Sequence, residues 1–142
     1  MVLGHYIKRV LETLFVHRFS NDTMPFKNLL WNCSGYWVMF GIFVMYFFLQ
    51  PTNEDYKSKD IAMSILFTIF ELLNLKTHLI LRGLRQEGTT MRGIPCGWGF
   101  NQVSCANYWW EFCCWLSFAI YAETWGALVF LVISFMQMFV WA

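Results

Sequence analysis

Charge is what this sequence has least of. Lys, Arg, Asp and Glu make up 13% of its 142 residues, about half the ~25% usual in soluble domains. A water-soluble domain this small has too much surface to cover with so few charges. That excludes a soluble enzyme and a disordered chain, and a net charge of +1 offers no basic footprint for a nucleic-acid backbone. Paired metal ligands are also lacking. None of Cys33, Cys96, Cys105, Cys113 and Cys114 forms a CxxC pair, and His5, His17 and His78 lie far from them in sequence, so no metal is expected. Cys113 and Cys114 lie in an apolar run and read as small buried hydrophobes. Residues 1–9 lack the order of a signal peptide, so membrane insertion is expected to use internal segments. Gly93, Gly97 and Gly99 do not form GxGxxG, and no P-loop, nucleophile elbow or zincin helix occurs.

Apolar side chains are abundant instead, at 58%, with 20% aromatic. The expected fold is all-α: a polytopic membrane helix bundle of about four transmembrane helices plus an N-terminal interfacial amphipathic helix. Residues 29–50 carry no charge and can cross ~30 Å of hydrocarbon at 1.5 Å per residue. Residues 61–81 are long enough to cross again. The apolar stretch from Ser104 to Ala142 is too long for one crossing and divides at Ala122-Glu123-Thr124, predicting 105–122 and 125–142. Residues 3–19 alternate apolar and charged positions at helical spacing, and Ser20–Pro25 breaks that helix. Lys8, Arg9, Arg18, Lys27, Arg82, Arg85 and Arg92 outnumber Lys57 and Lys59 of the intervening loop, which predicts both termini in the cytosol.

An ionisable group inside a membrane helix costs at least ~2.5 kcal/mol unless partnered. Glu71, Asn74, His78, Arg82 and Arg85 recur at spacings of three and four, forming one stripe. A polar ligand with an anionic, cytosol-facing end matches it; so does a polar seam between helices. Lys76 faces away and reads as snorkelling. Ser104, Asn107, Tyr108 and Glu111 form a second stripe. A buried tyrosine, with an ordinary pKa of ~10, can donate a proton; the alternative is an interfacial tyrosine beside Trp109 and Trp110. By itself the N-terminal helix, with Lys8, Arg9 and Arg18 among His5, Tyr6, Glu12 and His17, reads as a cationic helix held at anionic lipid.

Together, these segments resemble a known family. The run from His5-Tyr6-Ile7-Lys8-Arg9 to His17-Arg18-Phe19-Ser20, then Thr23-Met24-Pro25, is similar to the very-long-chain trans-2-enoyl-CoA reductases of the steroid 5-alpha-reductase superfamily. Asn74-x-x-x-His78-x-x-x-Arg82-x-x-Arg85, Ser104-Cys-Ala-Asn-Tyr-x-x-Glu111 and Gln137-Met-x-x-x-Trp-Ala142 fit the same pattern. The third-helix motif is shared with the steroid reductases. The resemblance implies a multi-pass endoplasmic reticulum enzyme that uses NADPH to saturate the 2,3 double bond of a very-long-chain 2-enoyl-CoA during fatty-acid elongation. It works in the bilayer, with other elongation enzymes as partners. It implies Tyr108 as the catalytic acid and Lys8 as its accompanying cation. Asn74, His78, Arg82, Arg85, Asn107, Glu111 and Arg18 would bind the cofactor, and Tyr6 the substrate carbonyl. A 3-oxo-steroid reductase and a non-catalytic partner in the elongation complex are the alternatives. Residues 1–142 are expected to be one membrane-embedded domain, without the family's N-terminal region and basic C-terminal tail. Ala106 stands where these reductases often have proline.

Overall fold

A computed structural model describes residues 1–18, 26–49, 58–85 and 93–142. The expected breaker at 20–25, Lys57 and Arg92 lie outside the described residues. Most of those described are helical, with no strand among them. Helix α1 (Val2–Leu11) runs on into a wide π turn, Glu12–Val16. Helix α2 begins at Phe26–Cys33, continues through a π segment at Ser34–Val44 and ends as Met45–Phe48. Helices α3 (Ser58–Gly83), α4 (Ala106–Ala122) and α5 (Trp125–Trp141) follow.

The division between α4 and α5 falls where the sequence suggests. Glu123 takes the left-handed conformation (φ 50°) and donates its amide to Ala119 O at 3.1 Å. Thr124 then caps α5, its hydroxyl oxygen accepting from Ala127 N at 3.2 Å, which satisfies one of the helix's orphan N–H groups. Glu123 also pairs with Lys59 near the start of α3. Cys105 Sγ lies 3.6 Å from Ala142 O, so the start of α4 and the end of α5 share one end of the bundle. Helix α3 extends beyond the expected 61–81 at both ends, because backbone hydrogen bonding need not stop where the apolar stretch does. Among the described residues it is the one helix long and apolar enough to cross a membrane; α5 is apolar but shorter.

The apolar core draws on four helices. Trp115 of α4 packs against Phe40 of α2 (ring centroids 5.3 Å) and Phe130 of α5 (5.0 Å), and Phe67 of α3 joins the same cluster. The Trp115–Phe130 pair is edge-on (81°), a geometry that stabilises beyond its area alone.

Helix α1 is inside out. Leu3, Leu14 and Phe15 are at least 66% exposed, whereas His5 and Glu12 are 2% and 1% exposed. Its polar face packs against α3 and its apolar face looks outward. This corrects the reading of α1 as a cationic helix resting on lipid headgroups. Buried acids elsewhere in the fold take up its cations, and its leucines are left for the surroundings.

After α3, Gly97 (φ 75°), Trp98 (φ 51°) and Gly99 (φ 105°) form a tight left-handed turn. A side chain at 99 would lie 3.1 Å from Ala106 Cβ and 3.2 Å from Trp110 Nε1, so conformation and space both require glycine there. Trp110 Nε1 donates to Trp98 O at 2.9 Å. Lys76 Nζ lies 5.6 Å from the centre of the Trp98 ring. That cation–π contact, not snorkelling, accounts for Lys76.

Candidate functional site

Helical spacing puts His5, Lys8 and Arg9 of α1 and Glu12 of the π turn on neighbouring positions; the first three meet acids or amides of α3 and α4, and Glu12 meets His78 of α3. His5 Nδ1 lies 2.5 Å from Glu71 Oε1, and Lys8 Nζ lies 2.7 Å from Glu71 Oε2. Lys8 also donates to Asn74 Oδ1 at 2.5 Å and lies 3.4 Å from Glu12 Oε1. Asn74 Nδ2 donates to the main-chain oxygen of Asn107 at 2.8 Å. Glu12 faces His78 Nδ1 at 3.1 Å and Arg9 Nη1 at 3.3 Å, and Arg9 Nη1 lies 3.9 Å from Glu111 Oε2. The two sequence stripes therefore meet, with the network built around α1 between them.

The π turn brings in a residue that sequence spacing missed. A five-residue hydrogen bond, His17 N to Glu12 O at 2.8 Å, closes a wider turn than an α-helix allows. It swings His17 over His78, with ring centroids 4.9 Å apart. Glu12, His17 and His78 have ligand atoms within 4.8 Å of one another. Lys8 and Arg9 already flank the Glu12 carboxylate, which sets their charge against a cation in that triad.

Two cavities flank this network. One, about 430 Å³, is lined by His17, Arg18, His78, Arg82, Arg85 and Pro95, among others. It is basic, and Arg18 donates to the main-chain oxygen of Arg85, tying the end of the α1 segment to the end of α3. The other, about 130 Å³, is lined by Arg9, Tyr108, Glu111, Trp115, Gln137 and neighbouring apolar side chains. Arg9 Nη1 and His78 Nε2 are 3.5 Å apart; one lines each cavity, so the cavities approach each other across this pair.

The predicted site residues thus fall into three groups. Arg18, His78, Arg82 and Arg85 line the basic cavity; Tyr108 and Glu111 line the smaller one. Lys8, Asn74 and Asn107 belong to the network between them. Lys8 is turned toward Glu71 and Asn74 and does not line the cavity of Tyr108; Arg9 does. Two acids and an amide take up the Lys8 ammonium, and the next residue along α1, Arg9, lines the tyrosine cavity. Asn74 is 1% exposed, and both ends of its amide are engaged. Tyr6 packs on Phe40 (5.6 Å), His5 (5.3 Å) and Trp115 (6.4 Å), behind the Trp115 wall of the Tyr108 cavity. Arg9, Glu12, His17 and Gln137 join these positions.

Burial pushes the Glu12 carboxyl upward, but the hydrogen bond and charge of His78, then Lys8 and Arg9, outweigh it and hold the pKa at about 2. His17 is pushed down by burial and by the positive charge of His78 and Arg9, which favours its neutral form. A depressed carboxylate stabilises the fold above its unfolded-state pKa, and that contribution disappears as pH falls through the folded value. Thermal unfolding in detergent is therefore expected to hold steady above pH ~4.5 and to weaken between there and pH ~2. Glu12→Gln should remove the Glu12 share of that acid limb and make it shallower.

The profile of the 3-oxo-5-alpha-steroid 4-dehydrogenase family matches residues 22–142. A very-long-chain enoyl-CoA reductase of Dictyostelium discoideum is 42% identical over 97% of this chain and 46% of its own length. A probable very-long-chain enoyl-CoA reductase of Caenorhabditis elegans is 42% identical over 97% of this chain and 47% of its own. The human trans-2,3-enoyl-CoA reductase-like protein is 33% identical over 97% of this chain and 40% of its own. The chain spans about half the length of the first two and less of the third. The family profile covers all of α2 to α5, where both cavity-lining stripes lie, and the chain belongs to the 3-oxo-5-alpha-steroid 4-dehydrogenase family.

Proposed function

We propose that residues 1–142 form one membrane domain that carries the reducing site of a very-long-chain 2-enoyl-CoA reductase, acting in fatty-acid elongation with NADPH. The observation that carries this reading is the pairing of the two cavities: a basic one beside one that contains Tyr108, in contact through Arg9 and His78. Three guanidinium groups suit the phosphates of a dinucleotide. When bound, that cofactor supplies a hydride to the β-carbon of the enoyl thioester. Arg18, Arg82 and Arg85 hold its phosphates, His78 sits at the boundary, and Asn74 and Asn107 keep the boundary rigid. Tyr108 delivers the proton to the α-carbon.

In the bilayer, α2 to α5 make four crossings. Seventeen residues reach about 26 Å at 1.5 Å per residue, within the range of a tilted or locally thinned membrane. The exposed leucines and phenylalanines of α1 and α5 then face lipid. Arg18, Arg82 and Arg85 share one cavity, which the positive-inside rule sets on the cytosolic side of the endoplasmic reticulum, where CoA and NADPH phosphates stay in water. Other elongation enzymes are its partners there.

Membranes from cells expressing the protein should oxidise NADPH when given a trans-2-enoyl-CoA. A 3-oxo-steroid is the second substrate to try, because the matching family takes its name from that reaction. Turnover only with the steroid would replace the acyl-CoA reading, and turnover with neither would leave a non-catalytic partner. Arg82→Ala/Arg85→Ala is expected to weaken NADPH binding by at least ~100-fold, since charge-assisted bonds to phosphate contribute ~1.5–3 kcal/mol each. Titration of NADPH fluorescence measures this, and unchanged affinity would remove the two arginines from the cofactor site.

A further inference from the structure

We propose that Gln137 holds the substrate's thioester in the Tyr108 cavity, its side-chain amide donating to the carbonyl oxygen; this rests on the reduction proposed above. Of the 17 residues of α5, Ser134 and Gln137 are the two with a hydroxyl or amide side chain. Three positions apart, they share one face of the helix, and both line the cavity that contains Tyr108. The opposite face, with Val132, Met136, Phe139 and Val140, is exposed and apolar.

A glutamine on a membrane helix ordinarily hydrogen-bonds to a neighbouring helix. Among the described residues, neither Gln137 nor Ser134 has a hydrogen-bond partner. The wall facing Gln137 on α2 is Gly35, where a methyl group would stand 3.9 Å from Gln137 Oε1. That is ordinary contact, so the glycine leaves open space over the amide. Elsewhere in the cavity Arg9 and Glu111 face each other at 3.9 Å, and this charged pair is taken up with itself. An unengaged amide among apolar helices is destabilising, and an acceptor oxygen entering the cavity relieves it.

Gln137 also lies at the right depth. Cys105 Sγ is 3.6 Å from Ala142 O, and α4 and α5 run antiparallel across the short Glu123–Thr124 break. At 1.5 Å per residue, Tyr108 is then ~4.5 Å and Gln137 ~7.5 Å in from that shared end. A phenol and an amide so matched can meet neighbouring atoms of one small group. As hydride bonds to the β-carbon, the double-bond electron pair moves to the α-carbon–carbonyl-carbon bond, and the carbonyl pair moves to oxygen. The Gln137 N–H strengthens its bond to that oxygen as the charge develops. The carbonyl then reforms as the α-carbon takes the Tyr108 proton, and the phenolate recovers a proton from water.

The test uses the full protein in membranes. Gln137→Met keeps the side-chain length, removes both N–H donors and leaves α5 more apolar, so the fold should persist. Its kcat with a trans-2-enoyl-CoA should fall about 100-fold, as on loss of one oxyanion donor, with NADPH affinity within about threefold of wild type. Gly35→Ala should act like wild type, since its methyl only touches the amide. Gly35→Leu fills the space and should raise KM at least about tenfold. Infrared spectra provide a readout without turnover, using an enoyl-CoA isotope-labelled at its carbonyl and bound together with NADP⁺. The carbonyl stretch should lie at lower frequency in wild type than in Gln137→Met. A Gln137→Met kcat within about fivefold of wild type overturns the proposal, and so does an unchanged carbonyl stretch. Loss of NADPH binding along with the rate also overturns it, because the amide would then be bracing the helices. A wild-type protein that binds NADPH but reduces no enoyl-CoA overturns the reduction itself.

Discussion

Replacing Tyr108 by phenylalanine is expected to lower NADPH-dependent turnover of an enoyl-CoA by about 10²–10⁴-fold, the usual contribution of a positioned general acid. The substitution removes one oxygen and keeps the ring, so packing in the cavity shared with Trp115 and Phe130 is preserved. NADPH affinity should change little, because the arginines of the basic cavity lie on the far side of the Arg9–His78 pair. With a deuterated nicotinamide, the variant should still bind cofactor but transfer deuterium slowly. Turnover equal to wild type would remove Tyr108 from the mechanism and leave the proton to come from water.

The second large effect concerns the network that holds α1. Glu71 sits between His5 and Lys8 and is 8% exposed. Glu71→Leu strands a half-buried ammonium without its main counter-ion, and breaking a buried pair from one side costs about 3–5 kcal/mol. The melting temperature in detergent should drop by several degrees or more. Proteolysis after Lys8 and Arg9 should become rapid as α1 lifts away. Asn74 loses the lysine that orients it, so NADPH binding should weaken as well. His5→Leu/Lys8→Met/Glu71→Leu removes the charges together and should recover much of the stability, since apolar groups of similar volume replace buried ion pairs at little cost. Glu71→Leu as stable as wild type would show that α1 is held by its apolar contacts alone.

The legible and illegible parts divide along one line. The break at Glu123-Thr124 follows from local chemistry, a left-handed residue followed by a capping hydroxyl, and was readable. So were the stripe through Asn74, His78 and Arg82 and the motif around Tyr108, because helical period alone sets which residues share a face. The direction in which α1 faces was not readable. Its apolar stripe would suit either a headgroup surface or an inside-out docking, and only buried acids about sixty residues away decide between them. The neighbours Lys8 and Arg9 could not be told apart for the same reason: each is a cation on a helix, and the docking angle alone assigns one to Glu71 and the other to the Tyr108 cavity. His17 was hidden by the π turn, since a spacing of five falls outside the α-helical rule.

Composition and periodicity, which act over a few residues at a time, already dictate a helical chain, poor in charge, with its few ionisable residues in stripes. Tertiary structure alone decided which stripe met which, that α1 turned its charges inward, and that two cavities formed on either side of a shared ion network. Those outcomes depend on contacts between residues tens of positions apart, where a buried charge settles against whichever counter-charge the packing brings within about 3 Å.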